Sequence, residues 1–380
     1  MTAPAGSQAA LDQSVPDQST PVRWDGDLGV FVVTGFEAAS AVLRGHGWSS
    51  DPAASPLAPP ELSQIPTSLM LFRDPPDHTR LRRLVAPAFS ARAIESLRPR
   101  VVSIVNSCLD ALPGDGDEVD LLADYGYLIP LAVIAELLDV GVEGAEVFLE
   151  QTPRLARLLD VGATSEDAAD AVAAALEVTM FLTPILSSRR GGGGDDFISA
   201  LLAVDELALD EVLATCVLLL AAGHETTANL IGSGALALIQ HPDQRPLLAA
   251  DPSRAVEELI RLHGPVRIIG RTAVTDHDLG GVRIPRGQQV LLRLDQAAQD
   301  PQRWPDPTRL DLGRPGPAHL GFGTGIHFCL GAALARMEAA IALVALFDRY
   351  PQIALANPTP TWRPSSTFHA LTALPVHLTP

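Results

Sequence analysis

The chain has 380 residues, 47% hydrophobic and 19% charged, which suits a globular protein with one large or two ordinary domains and excludes a disordered one. Lys+Arg number 27, every one an arginine, against 45 Asp+Glu, and the net charge of −18 argues against nucleic acid or an anionic membrane as the main partner. Three cysteines, Cys108, Cys216 and Cys329, cannot build a disulfide framework and point to a reducing compartment.

Residues 1–20 are rich in Ala, Ser, Gln and Pro and read as a loose arm. They lack the basic start and apolar run of a secretory signal. The run Gly29–Thr34 is β-branched and aromatic and predicts a strand. Ser49–Pro66 has no periodicity and reads as a functional loop. Between 73 and 100, seven arginines (73, 80, 82, 83, 92, 98, 100) face three acids (74, 77, 95), a local excess of four positive charges. From about 77 to 340 helical patterns dominate, broken by Pro and Gly at 113–116, 191–194 and 264–265.

The longest apolar run, Val212–Gly223, is too short to span a bilayer, so the chain reads as soluble and cytoplasmic, with no membrane partner. It belongs to a helix predicted from Asp210, as N-cap, to Gln240, where His241-Pro242 stops it. Such a helix is roughly 45 Å long and apolar nearly all round, so it runs through the core. Its middle is nonetheless Gly223-His224-Glu225-Thr226-Thr227, a weak point for a helix and an odd place for an acid beside two hydroxyls. Further on, 278–294 predicts a hairpin and a following strand, and a second β-rich region closes the chain around 369–378.

Two constellations carry chemistry. His224-Glu225 resembles the start of a zinc-protease motif, but position 228 is Ala where the second His is required. A satisfied polar pair in the core is the plain alternative. In 320–338, Phe322-Gly323-Thr324-Gly325 precedes His327 and Cys329, and a helix follows from about Leu330. The loop delivers Cys329 to a helix N-terminus, where the dipole and free N–H groups favour a thiolate, and Gly331 leaves room for something flat. Zinc is disfavoured because no other cysteine lies nearby, and a nucleophile lacks a visible base. A single axial thiolate to haem iron fits best.

The loop FGTGIHFCLG resembles the cysteine loop of the cytochrome P-450 haem-thiolate monooxygenases. Three more segments resemble that family in the right order: Ala222–Thr227 its oxygen-binding helix motif, Glu258-Leu259-Ile260-Arg261 its Glu-x-x-Arg pair, and Asp74–Arg83 its propionate-gripping segment. The resemblance spans residues 21–380 and is closest to soluble bacterial members acting on polyketides and macrolides. It implies a mainly α, single-domain P-450 fold with small antiparallel sheets. Haem b is then expected between the long central helix and the cysteine-loop helix.

Cys329 is then the expected iron ligand. His78, Arg82, Arg271 and His327 bind propionates, with Phe322 and Gly323 completing the cofactor loop. His78 and Arg82, four apart, share one helical face. Glu258 and Arg261 are implied to form a buried structural network. Glu225 and Thr226 are implied to shape the dioxygen groove and supply protons there. Residues 51–72, Ala222, Val266, Ile268, Ile269, Thr367 and Phe368 are expected around a small apolar substrate, free or carrier-bound. No flavin or nicotinamide fingerprint is visible, so electrons are expected from a ferredoxin and its NAD(P)H-dependent reductase, docking a monomeric enzyme at the arginines of 73–100. The chain departs from the family pattern in its short start before Pro21, in Thr324 for a common His, and in Asp295–Pro301, which lacks the usual Asn-Arg. Two other functions remain open. Coupling, dehydrogenation or decarboxylation would share every motif, whereas a haem sensor would not need Glu225-Thr226.

Overall fold

The computed structural model describes residues 20–55, 58, 61, 68–114, 116–161, 163–192, 194, 196–316 and 318–379. The arm at 1–19 and much of the 51–72 loop therefore lie outside the described residues. Strands are short: β1 (Val22–Asp25), β2 (Val30–Val33), β3 (Trp48–Ser49), β4 (Glu118–Asp120), β5 (Ile268–Ala273), β6 (His277–Leu279), β7 (Val282–Ile284), β8 (Gln289–Arg293), β9 (Ala354–Leu355) and β10 (Pro375–His377). They form a five-stranded sheet in the order β1-β2-β8-β5-β3, a three-stranded one, β4-β10-β9, and the hairpin β6-β7. Gly280 and Gly281 at the hairpin tip both have positive φ, as a type I′ turn requires.

The sheets are antiparallel, as expected, at every described strand pairing but one. β2 pairs with β8 in parallel, Phe31 opposite Val290. Parallel neighbours need a crossover, and here most of the helices, though not Ala332–Arg349, lie between them in sequence.

Helices make up the rest. The central helix, Leu209–Gln240, has 32 residues and buries most of them. Its N-cap is Ala208 rather than Asp210, because the Ala208 N–H is already served by Glu211 Oε2 at 2.9 Å. Asp210 sits inside the first turn, where its charge complements the dipole and its Oδ2 accepts from Ser68. Against the central helix pack Leu128–Leu138, Gly141–Leu155, Ser165–Arg189, Pro252–His263 and Ala332–Arg349. Ser165–Arg189, not the Val212–Gly223 run, is the described segment long and apolar enough to cross a membrane by length and composition. Its alanines hide that in a residue-by-residue reading. In the fold it lies along Gly141–Leu155 and the central helix.

Two features lock the cysteine loop in place. Glu258 and Arg261 are both buried and bidentate, at 2.7 and 2.9 Å. Glu258 also accepts from Arg314 Nε at 3.0 Å and the Asp311 N–H at 3.2 Å, while Arg261 Nη1 donates to the Ala298 and Pro307 carbonyls. This network pins the 298–314 segment to the helix Pro252–His263. The second feature is Gly325, at φ +73°, where a Cβ would stand 2.2 Å from the Leu43 carbonyl oxygen. Only glycine lets the loop lie this close to the helix Phe36–Arg44.

Glu338, on Ala332–Arg349, is buried, and its Oε2 has no hydrogen-bond partner. Burial alone raises its carboxyl from 4.5 to about 8. Below about 4.5 both folded and unfolded chains hold the proton; above it, only the folded chain keeps it up to about 8. Stability present at low pH is therefore lost as pH rises, by at most about 1.4 kcal/mol per unit across that window. Glu338→Gln should flatten this slope and melt higher than the parent at pH 8. Parallel melting curves against pH would refute the assignment.

Candidate active site

The helix Ala332–Arg349 begins slightly later than expected, with Gly331 as its N-cap. Cys329 stands just ahead of it, its N–H donating to the Phe322 carbonyl at 2.9 Å and its sulfur accepting from the Gly331 N–H. Burial pushes the thiol up, opposed by that N–H and by the charges of Arg336 and Arg82. Gly323 has φ +68°, and the Phe322 ring carries the Arg336 guanidinium 4.4 Å from its centre. A Cβ built on Gly331 meets nothing within 4 Å, so a broad face is open beside the sulfur.

Around this loop gather the four predicted cationic residues. The helix Asp77–Val85 buries His78 and places Arg82 one turn on, where Nη2 donates to the Phe328 carbonyl at 2.7 Å. The His78 and His327 rings lie 4.1 Å apart, and His327 Nε2 is 3.2 Å from Ser50 Oγ. Arg271, on β5, has its guanidinium bonded to the Gly270 carbonyl and no carboxylate at ion-pair distance among the described residues. Burial and the charges of Arg271, His78 and Arg82 hold the His327 imidazole down to about 3. Burial likewise brings Arg271 to about 10, and His78 Nδ1 is buried without a partner. Two guanidiniums beside two imidazoles whose protonation they oppose, His78 buried and the other three half-buried, are a setting for an anion.

The central helix forms another wall. Thr215, Leu218, Ala222 and Thr226 are half-buried at spacings of three and four, with Leu219 and Gly223 beside them, so they share one incompletely covered stripe of a largely buried helix. Leu330, next to Cys329, packs in the same apolar cluster as Val217, Leu220 and Ala221. Thr226 Oγ1 donates to the Ala222 carbonyl at 2.6 Å, the back-bond expected of a threonine there, and the helix nonetheless runs unbroken through Gly223. His224 is a core residue: Nε2 bonds the Tyr127 carbonyl at 2.9 Å, and burial holds its imidazole down to about 4. Glu225 does not bond Thr226. Its Oε1 is paired with Arg363, and burial still raises its carboxyl.

The residues expected around substrate divide. Val266 and Ile269 are half-buried, and Ile269 shares the Arg271 face of β5 by its two-residue period. Ile268 belongs to the opposite face, clustered with Val30, Val32 and Leu291, and so leaves the pocket. Thr367 and Phe368 are buried, and the Thr367 hydroxyl already accepts from the Val161 N–H at 2.8 Å. Arg363, Asp160 and Val161 escaped the sequence reading, since no motif or period marks them.

Between 73 and 100 the expected positive patch is diluted by acids distant in sequence. Arg80 and Arg83 pair with Glu211 and Glu206, Arg98 with Glu95, and Arg100 with Glu136, while Arg73 lies 3.9 Å from Asp51. Arg92 is exposed with no acidic partner among the described residues.

The cytochrome P450 family model matches residues 253–365. The chain is 41% identical over 359 residues to the cytochrome P450 monooxygenase PikC of Streptomyces venezuelae, covering 91% of this chain and 85% of that one. It is 37% identical over 391 residues to 6-deoxyerythronolide B hydroxylase of Saccharopolyspora erythraea, covering 97% and 95%. The chain belongs to the cytochrome P450 family. Among solved structures, P450BioI in complex with a hexadec-9Z-enoic acid ligated acyl carrier protein superposes with a TM-score of 0.90 at 33% identity, over 98% of each chain.

This P450 is a monooxygenase, and its cofactor is haem b with an axial cysteine thiolate. The residues present fit that group. The open face at Gly331 suits a flat macrocycle, and the buried His78 Nδ1 and acid-free Arg271 suit its carboxylates. Cys329→Ser should abolish the thiolate-type carbon monoxide spectrum of the reduced P450 while far-ultraviolet circular dichroism stays unchanged. A retained thiolate spectrum would show that Cys108 or Cys216 supplies the sulfur.

Proposed function

We propose that this P450 hydroxylates an apolar polyketide or macrolide, with electrons from a ferredoxin and its NAD(P)H-dependent reductase. What carries the reading is the meeting of Cys329, at its helix N-terminus, with the cluster of buried His78 and half-buried Arg82, Arg271 and His327. Support for the substrate class comes from the names of the relatives and from the apolar residues Leu218, Ala222, Val266 and Ile269 beside the cavity. When bound, the haem supplies dioxygen activation, aided by electron density from the thiolate.

The chain's own residues supply the rest. Cys329 Sγ would hold the iron, and the Gly331 N–H with the Arg336 and Arg82 guanidiniums opposes the rise that burial imposes on its thiol. His78, Arg82, Arg271 and His327 would hold the propionates. Thr226 Oγ1, anchored to the Ala222 carbonyl, keeps a hydroxyl on the half-buried stripe, and Glu225, one residue away with its carboxyl raised by burial, relays protons inward. The apolar stripe and β5 exclude water and orient substrate.

A visible-absorption titration against macrolide, polyketide, terpene, fatty-acid and aromatic panels tests the substrate class. A high-spin shift with a macrolide or polyketide supports it; a shift confined to another class overturns it. Thr226→Ala should leave the binding shift intact yet divert electrons to hydrogen peroxide, lowering product per NADPH by roughly tenfold or more. Unchanged coupling would remove Thr226 from proton delivery. For the redox partner, Arg92→Glu should slow ferredoxin-driven reduction at low ionic strength, an effect that fades as salt screens the charge. Equal rates at low salt would move the docking face elsewhere.

A further inference from the structure

The turn between β9 and β10 is a small, rigid piece of backbone. Trp362 bridges Leu371, the Arg363 N–H donates to the Ala370 carbonyl at 2.8 Å, and the Trp362 and His369 rings stack 3.7 Å apart. Arg267 of the approach to β5 braces it, donating from its N–H to the Thr367 carbonyl at 2.7 Å and from Nη2 to the Ser365 carbonyl at 3.1 Å. The turn reaches in two directions. Arg363 Nη2 extends to Glu225 Oε1 on the central helix.

Ser365 and Thr367 extend instead to the connection between the helices Gly141–Leu155 and Ser165–Arg189. Asp160 Oδ2 accepts from Ser365 Oγ at 2.7 Å and Oδ1 from the Thr367 N–H at 3.3 Å. In return Thr367 Oγ1 accepts from the Val161 N–H at 2.8 Å. Val161 Cγ1 then lies 3.5 Å from where a Gly270 Cβ would stand, so the connection is drawn against β5. Asp160 and Arg157 are also near enough to Glu225 to influence its carboxyl electrostatically.

We propose that Arg363 is a positioning residue for Glu225, and that the reciprocal latch of Asp160 and Val161 with Ser365 and Thr367 makes the carboxylate's placement depend on closure of that latch. One turn thus joins the 156–161 connection to the proton source. A closed latch holds Arg363, and with it Glu225, in register with Thr226; an open one releases both. This rests on the reading of Glu225 as a proton source given above.

The test needs no identified substrate. The haem-loaded enzyme oxidises NADPH through a plant-type ferredoxin and its reductase, and the share of electrons recovered as hydrogen peroxide rather than water is measured. Amide exchange of Val161 in the ferric enzyme reports the latch independently. Arg363→Gln should raise the peroxide share several-fold, approaching Glu225→Gln, and Arg363→Lys should restore most of it. Thr367→Val should speed Val161 exchange by about tenfold and raise the peroxide share as well.

The outcomes separate cleanly. If Glu225→Gln leaves the peroxide share unchanged, the proton-source reading fails and this inference falls with it. If Glu225→Gln raises it but Arg363→Gln does not, the reading stands and the positioning role is overturned. Failure of Arg363→Lys to rescue would make Arg363 merely structural. Faster Val161 exchange without more peroxide would overturn the coupling to closure.

Discussion

A buried guanidinium needs a negative charge, and where that charge comes from divides this molecule into scaffold and site. Arg261 and Arg271 are ten residues apart, the first buried and the second half-buried. Arg261 has Glu258 on its own helix, one turn away, and a ring of carbonyls besides. It is complete without help, and removing either partner would strand a charge at a cost of several kcal/mol. Arg271 has the neighbouring Gly270 carbonyl and the more distant charge of Asp74, while Arg82 adds a second positive charge beside His78 and His327. That side of the molecule reaches electrostatic balance with an anionic cofactor, whose binding also stabilises the fold that holds it.

The two arrangements are mechanically linked. The Glu258 network fastens the 298–314 segment, and the cysteine loop follows directly from it. Gly325 then presses that loop onto the helix Phe36–Arg44. Cys329 is thus held from both sides, so the sulfur's direction is settled by rigid neighbours rather than by the thiol itself. Preorganisation of this kind places a ligand at the N-terminus of Ala332–Arg349, where the helix dipole favours the anion.

On the opposite wall the same long helix serves two masters. Its apolar circumference stabilises the core, while its half-buried stripe at Thr215, Leu218, Ala222 and Thr226 shapes the cavity. Glu225 is the point of conflict. An acid at this depth is desolvated, and its pairing with Arg363 relieves only part of the penalty, so its proton affinity rises. A group poised in that way suits proton transfer better than scaffolding.

Local chemistry was legible from the chain alone. The cysteine loop, the Glu258–Arg261 spacing and the His78–Arg82 face each lie within about ten residues, where spacing dictates geometry. The β6–β7 hairpin was legible for the same reason, since Gly-Gly meets the φ demands of its turn. What the tertiary structure decided were pairings across hundreds of positions. Arg363 reaches Glu225 over 138 residues of sequence, and Asp160 reaches Ser365 over 205. The parallel β2–β8 contact and the pairing of Arg80 and Arg83 with Glu211 and Glu206 are of that kind too. The reason is physical: a side chain's period is set by its own backbone, but its partner is set by where the whole core folds.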